Sequence, residues 1–521
     1  MASERRPFIS ALPIYPVFLA AYPVLFLFAA NIHEQVTLTA LYAPLALAVA
    51  GAAITWMLLT ALLHNWARAA LATTILVAAF FAYGHVRNAF GEGFTSELAL
   101  MLPWAALTVI AFVVALRVGR LSTITGVLNA IGAVLVVVNL APIVQFAAAS
   151  ASAPQNVGPQ RSLVDNEGPS ERDIYYLIFD RYASGQTLSE IYGFDNSTFL
   201  DELTRRGFYV AADSQANYLK TASSLAASLS MDYLPVADLR ARATSDDDWR
   251  PVYDMLLGGY AVEERLRAAG YTYVHIGSIF SPTATNSDAD LVLRYSAKSE
   301  FESVLIDTTL LGGLGRLAPN EQAGDKRRPY RLNTIYQLNR LDEMADVPGP
   351  KFVFAHVLLP HPPWLFDQDG DYVSPEVAAT RSSRENYLEQ LQYANQRILR
   401  LLDRLLREDD ASDPIILLQA DEGPLPARYA HDEDHFDWTS ATIEELREKM
   451  GILNAYYLPG KPRGLYPSIT PVNSFRVVFN AYFGADLAML RDKSYIFTDQ
   501  LHLYDFRDVT DLLRADPSNT P

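Results

Sequence analysis

Five long apolar segments fill the first 150 residues, at roughly 11–31, 37–63, 68–86, 98–117 and 122–146. Each approaches the ~20 residues an α-helix needs to cross the hydrocarbon of a bilayer. As buried helices of a water-soluble domain they would leave no polar outer face, so the sequence predicts a five-helix transmembrane domain over 1–146. The first segment lacks the small-residue cleavage site that ends a signal peptide, and four more segments follow it.

Arginine placement sets the expected orientation. Arg5 and Arg6 precede the first segment, Arg68 lies between the second and third, and Arg117 and Arg120 lie between the fourth and fifth. The alternate loops carry Arg87 together with Glu34, Glu92 and Glu97. Basic residues collect in cytoplasmic loops, so the N-terminus is expected in the cytoplasm and everything beyond 147 outside it. The segments hold almost no ionisable residues to line a path, which argues against a transporter.

Charge divides the chain in the same place. The whole chain carries -17, yet its first 150 residues hold six Arg, no Lys and four Glu, so the remainder is strongly acidic. Such a surface offers no basic stripe for nucleic acid. The absence of Cys excludes disulfides, thiolate metal sites and a cysteine nucleophile. Residues 147–172, rich in Ala, Ser, Pro, Gln and Asn without an apolar period, read as a linker, and 513–521 as a disordered tail.

Between them, 173–512 reads as an extracytoplasmic domain. Short apolar strands at 173–180, 208–210, 271–276, 352–357, 415–418 and 452–458 alternate with helical patterns at 197–206, 221–229, 251–269, 329–345 and 383–408. That alternation implies an α/β/α sandwich with a largely parallel sheet.

Two strands end on acids. DIYYLIFD closes on Asp180, followed by Arg181, and DPIILLQADEG closes on Asp421, Glu422 and Gly423. In parallel sheets ligands bind outside the carboxyl ends of the strands, and acids gathered there without basic partners call for a hard divalent cation. Thr221, after Lys220, opens a helix and reads either as an N-cap or as a nucleophile. His356 lies within an apolar strand and reads as a core residue; His361, between prolines, reads as exposed and held in place.

These pieces, in this order, resemble the alkaline phosphatase and sulfatase superfamily, whose pattern is a strand-end acid, a nucleophile opening a helix, a Pro-His-x-Pro loop and a strand ending Asp-His-Gly. Five spans before such a domain look like the lipoteichoic acid synthases and lipid A phosphoethanolamine transferases. The resemblance implies Asp180, Thr221 and Asp421 as metal ligands, Thr221 also as nucleophile, and His361 as a contact to substrate phosphate or leaving group. Lys220 and Arg181 would balance phosphate charge. His431 and His435 either match a late metal-binding His or sit in a solvated acidic loop.

The departure is Glu422 where the pattern has His. As a ligand it would give an all-oxygen set suited to one Mn or Mg ion rather than Zn; turned away, it would leave a pseudoenzyme that keeps the fold for binding. The expected function is a membrane-anchored, metal-dependent phosphotransferase or hydrolase acting on phospholipid or lipid-linked glycan esters.

Overall fold

A computed structural model describes residues 12–32, 38–90, 97–119, 121–152, 172–295, 300–317, 327–406, 413–460 and 463–514. The chain divides into two compact units, one of residues 1–153 with 298–328 and the other of 154–297 with 329–521.

The first unit contains α1 (Tyr15–Ala30), α2 (Thr39–Leu63), α3 (Trp66–Ala89), α4 (Glu97–Arg117) and α5 (Leu121–Ser152). The four after α1 are long and apolar enough to cross a membrane. The 16 residues of α1 span about 24 Å at the usual helical rise. It packs against α2, α3 and α5, burying Ala20, Val24 and Phe28. Asn129 ties its start to α5, accepting from the Tyr15 amide at 3.0 Å and donating to the Leu12 carbonyl at 2.8 Å. The outer surface is the reverse of a water-soluble bundle. Leu47, Leu102 and Val137 are 74%, 67% and 64% exposed, which suits hydrocarbon as the solvent.

Two short helices, Glu300–Asp307 and Leu310–Arg316, belong to this unit although they lie far along the sequence. Phe301 and Leu305 join a cluster with Phe28, Ile32, Leu41 and Ile143. The Gly84 amide donates to the Thr308 carbonyl at 3.0 Å. An expected domain running unbroken over 173–512 does not anticipate this return.

The second unit is built on a seven-stranded sheet of β1 (Ile174–Phe179), β2 (Tyr209–Val210), β3 (Thr272–Ile276), β4 (Leu291–Leu293), β5 (Lys351–Val357), β6 (Ile415–Gln419) and β7 (Asn454–Tyr457). The order is β2-β7-β6-β1-β5-β3-β4. The five strands from β6 to β4 are parallel, and β7 runs antiparallel to β6 with β2 antiparallel to β7. β1, β5 and β6 are buried at every position, as strands covered on both faces must be. The helices used below are α6 (Thr221–Ser230), α7 (Arg328–Met344), α8 (Ser383–Leu405), α9 (Ile443–Met450) and α10 (Pro471–Tyr482).

Local chemistry explains the boundaries. Ser382 and Glu385 form a capping box that starts α8, and Thr442 with Glu445 does the same for α9. The expected single helix over 251–269 is instead a short helix at Arg250–Tyr253, a turn, and a second helix at Ala261–Ala268. Gly258 and Gly259 break it with φ of +150° and +73°, values that favour glycine. Within the expected linker, α5 runs on to Ser152, and 153–171 lie outside the described residues, as does the expected tail beyond Arg514.

Candidate metal centre

Register decides which side chains meet at the carboxyl edge of the sheet. Ile178 of β1 stands level with His356 of β5 and with Gln419 of β6. Side chains alternate faces along a strand, so Asp180 and Asp421, each two residues beyond that level, fall on the face that carries His356. The Asp180 amide still donates to the Val357 carbonyl at 3.0 Å, which extends the ladder to the carboxylate.

Donor atoms of Asp180, His356 and Asp421 lie within 4.8 Å of one another, and this is the one group of three or more metal-capable side chains found among the described residues. All three are buried. Asp180 Oδ1, His356 Nε2 and both Asp421 carboxylate oxygens have no hydrogen-bond partner. Buried polar atoms are rarely left so, and a divalent cation satisfies four of them together. The residues therefore fit a metal ion.

The surroundings orient the imidazole. His356 Nδ1 lies 2.9 Å from Thr283 Oγ1, which turns Nε2 toward Asp180 Oδ2 at 3.4 Å. The Thr283 carbonyl meets His275 Nε2 at 2.9 Å, so one residue braces histidines from two strands. Burial and then the Asp180 charge push Asp421 up to about 8, against the opposing influence of His356 and the Thr221 hydroxyl. Burial also opposes ionisation of Asp180, but His361, His356 and Arg181 hold it well below the usual carboxylate range.

Thr221 is the first residue inside α6, and Lys220 occupies the cap position without a side-chain bond to the helix. The hydroxyl is not spent as a cap. His361 Nε2 lies 3.8 Å from Asp180 Oδ2, and its Nδ1 hydrogen-bonds the Pro362 carbonyl. Burial and the Arg181 charge push His361 down to about 4, which keeps it neutral near pH 7.

Glu422 takes a different place from the one expected of a ligand. Its Oε1 accepts from Arg181 Nε at 2.9 Å and lies 2.9 Å from Lys449 Nζ. Arg181 reaches it from a left-handed backbone at φ +62°, a conformation costing roughly 1 kcal/mol in a non-glycine residue. Gly423 lets the strand end pass under α9, because a Cβ there would meet the Glu448 carbonyl oxygen at 2.3 Å. Lys220 Nζ sits 5.1 Å from the Tyr429 ring centre, contacts its hydroxyl, and lies 3.7 Å from Glu433. Burial pushes Lys220 down to about 8. Arg181, Lys220 and Lys449 form a cationic wall around one buried carboxylate.

Of the residues expected from sequence, Asp180 and Asp421 come together with Thr221 and His361 nearby, while Arg181 and Lys220 join the cationic wall around Glu422. His431 and His435 are exposed; His435 Nδ1 pairs with Asp432 at 3.0 Å, as in a solvated acidic loop. His356 was expected in the core and instead joins the donor group, and Lys449 was not anticipated. The signal for His356 was its place one residue before the end of a strand, beside a strand that ends on Asp.

No protein-family model matches the chain, and no curated protein matches it. Among solved structures, the C-terminal periplasmic domain of EcEptC from Escherichia coli is similar over 67% of this chain and 96% of its own, at 15% identity and a TM-score of 0.43. The lipooligosaccharide phosphoethanolamine transferase A from Neisseria meningitidis, an integral membrane protein, is similar over 91% of this chain and 96% of its own, at 14% identity and a TM-score of 0.38. A protein in the alkaline phosphatase superfamily from Vibrio parahaemolyticus is similar over 64% and 74% respectively, at 11% identity and a TM-score of 0.38.

Proposed function

We propose that the chain is a membrane-held, metal-dependent transferase or hydrolase of anionic esters, phosphodiesters before sulfate esters, that acts outside the cytoplasm through Thr221. The observation that carries this reading is the set of four buried, unpartnered donor atoms on Asp180, His356 and Asp421. When bound there, a divalent ion supplies charge withdrawal from the ester oxygens and favours alkoxide character at Thr221. His356 adds a nitrogen, so the all-oxygen argument for Mn or Mg over Zn lapses, and the set Asp, His, Asp and Thr suits one Zn or Mn ion.

The side chains divide the work. Thr221 Oγ attacks phosphorus, its proton leaves, and the bond to the departing alcohol breaks as that oxygen gains a proton. An acceptor hydroxyl or water then attacks the phosphothreonine and frees Thr221. With Nδ1 engaged by the Pro362 carbonyl, His361 presents a neutral Nε2 to take the proton and return it. Arg181, Lys220 and Lys449 balance the anionic ester, and Glu422 holds two of these cations in place. Membrane helices keep the site near lipid-borne substrates, a phospholipid or a lipid-linked glycan. A pseudoenzyme that keeps the fold for binding is the alternative, favoured by Glu422 where the pattern has His; the unpartnered donor atoms of Asp180, His356 and Asp421 support the catalytic reading.

The test uses the full chain in nanodiscs with a fluorescent phospholipid donor. Elemental analysis is expected to give about one divalent ion per chain, lost in Asp421→Asn and Asp180→Asn. Thr221→Ala leaves Asp180, His356 and Asp421 and is expected to keep the metal, more weakly held, but lose both headgroup release and the phosphorylated Thr221 peptide. Metal-free wild-type protein, or full turnover by Thr221→Ala, would overturn the reading.

A further inference from the structure

Residues 300–316 form a helical hairpin that grips the membrane-spanning unit from one end. Its contacts are the C-terminal end of α1 at Phe28 and Ile32, the N-terminal turn of α2 at Leu41, the C-terminal turns of α3 at Tyr83 and Gly84, and the latter part of α5 at Ile143. A Cβ on Gly313 would lie 2.3 Å from the Tyr83 ring and 3.1 Å from Glu97 Oε1, so the second helix is seated against α3 and the first turn of α4. All these positions share one end of the bundle. The seat is made of close backbone approach and buried apolar side chains, which is the construction of a fixed element.

The opposite face of the hairpin is apolar and uncovered. Val304, Leu311 and Leu314 are 45%, 53% and 49% exposed, and Leu317 just beyond is exposed as well. In water such a face would be a liability. Its surroundings decide what covers it. At the same end of the bundle Leu98, in the first turn of α4, and Val144, in α5, also turn apolar side chains outward. The hairpin face thus stands at an end of the bundle where the spanning helices also turn apolar side chains outward. Neither helix can cross, since eight and seven residues rise only about 12 and 10 Å against ~30 Å of hydrocarbon. Residues 298–328 hold five basic and five acidic side chains, so attraction by charged headgroups does not explain the face.

We propose that the 300–316 hairpin is a second membrane-contact element, lying in the bilayer interface at the end of the bundle where α1, α3 and α5 finish, with Val304, Leu311, Leu314 and Leu317 among lipid acyl chains. It is an insertion that leaves the sheet-bearing unit after β4 and returns to it at α7. Its occupant is lipid hydrocarbon, and its hold comes from apolar area. The proposal rests on the reading of α1–α5 as membrane helices and is independent of the metal centre.

The Cys-free chain allows a direct test. Leu311→Cys and Leu314→Cys are each labelled with bimane in the full chain in nanodiscs whose lipids are brominated near the headgroup end of the acyl chains. Leu107→Cys in mid-α4 gives the lipid reference, and Glu444→Cys, at an exposed position of α9, gives the aqueous one. Both hairpin labels are expected to be blue-shifted and quenched by brominated lipid to an extent comparable with the lipid reference, and shielded from aqueous iodide. That pattern should persist in high salt and in zwitterionic or anionic lipid alike. Quenching by iodide as at Glu444→Cys, or shielding from both quenchers, would overturn the proposal, and agreement between two positions guards against one misfolded variant.

Discussion

Thr283 shows how much a single residue outside the donor group can decide. Its hydroxyl meets His356 Nδ1 and its carbonyl meets His275 Nε2, so it fixes which nitrogen of His356 faces the carboxylates. Thr283→Val keeps the shape and removes the partner. Metal affinity is expected to fall about 10- to 100-fold, read by competition titration against a chelating dye, with the sheet otherwise intact by circular dichroism. Glu263 offers a separate measurement. Burial and then Asp288 push its carboxyl up to about 7, with Arg267 opposing, and one oxygen has no hydrogen-bond partner. A carboxyl with a raised folded-state pKa contributes stability that is complete below the unfolded value near 4.5 and is lost as pH rises through about 7. The total is on the order of 3 kcal/mol. Glu263→Gln should therefore flatten part of the fall in melting temperature between pH 5 and 8; an unchanged slope would remove Glu263 from the account. Legibility at this scale followed local grammar. Asp180 and Asp421 stand where apolar strands end, a pattern visible in a few consecutive letters. His356 acquires its role only through its level against Ile178, and a register between strands 178 residues apart is written in no local pattern.

Elements were legible where periodicity was long and caps were strong. All five apolar helices and the central strands were expected within a few residues of where they stand, because continuous apolar runs leave little choice. The 251–269 stretch failed because its apolar period continues through Gly258 and Gly259, while the backbone does not. The hairpin was illegible for the opposite reason. Its helices, of eight and seven residues, are too short to register as spans. Its seating depends on Gly84, where a Cβ would lie 2.4 Å from the Asp307 carbonyl oxygen and 2.5 Å from Thr308 Cα. Backbone cannot yield as a flexible side chain can. Gly84→Val is expected to cost about 1–3 kcal/mol of hairpin docking, seen as a rise of roughly tenfold or more in amide exchange over 300–317. Unchanged exchange would show that the hairpin is held elsewhere.

For the whole molecule, composition marks one division, since an apolar, nearly neutral first part and an acidic second part need different solvents. It did not show that the boundary is crossed more than once. The chain passes between its two units after residues 153, 297 and 328. An enzyme tied to its anchor by one linker is modular: a single recombination event in that linker can give the catalytic part a new anchor. Here a single exchange near 153 would carry the 300–316 hairpin away from the α1, α2 and α5 surfaces that bury Phe301 and Leu305. The transplanted half would bear an orphaned apolar element, and the abandoned helices an uncovered seat. The two parts of this protein are therefore expected to be inherited together, and a soluble version requires replacing 298–328 with a polar loop as well as cutting after 153.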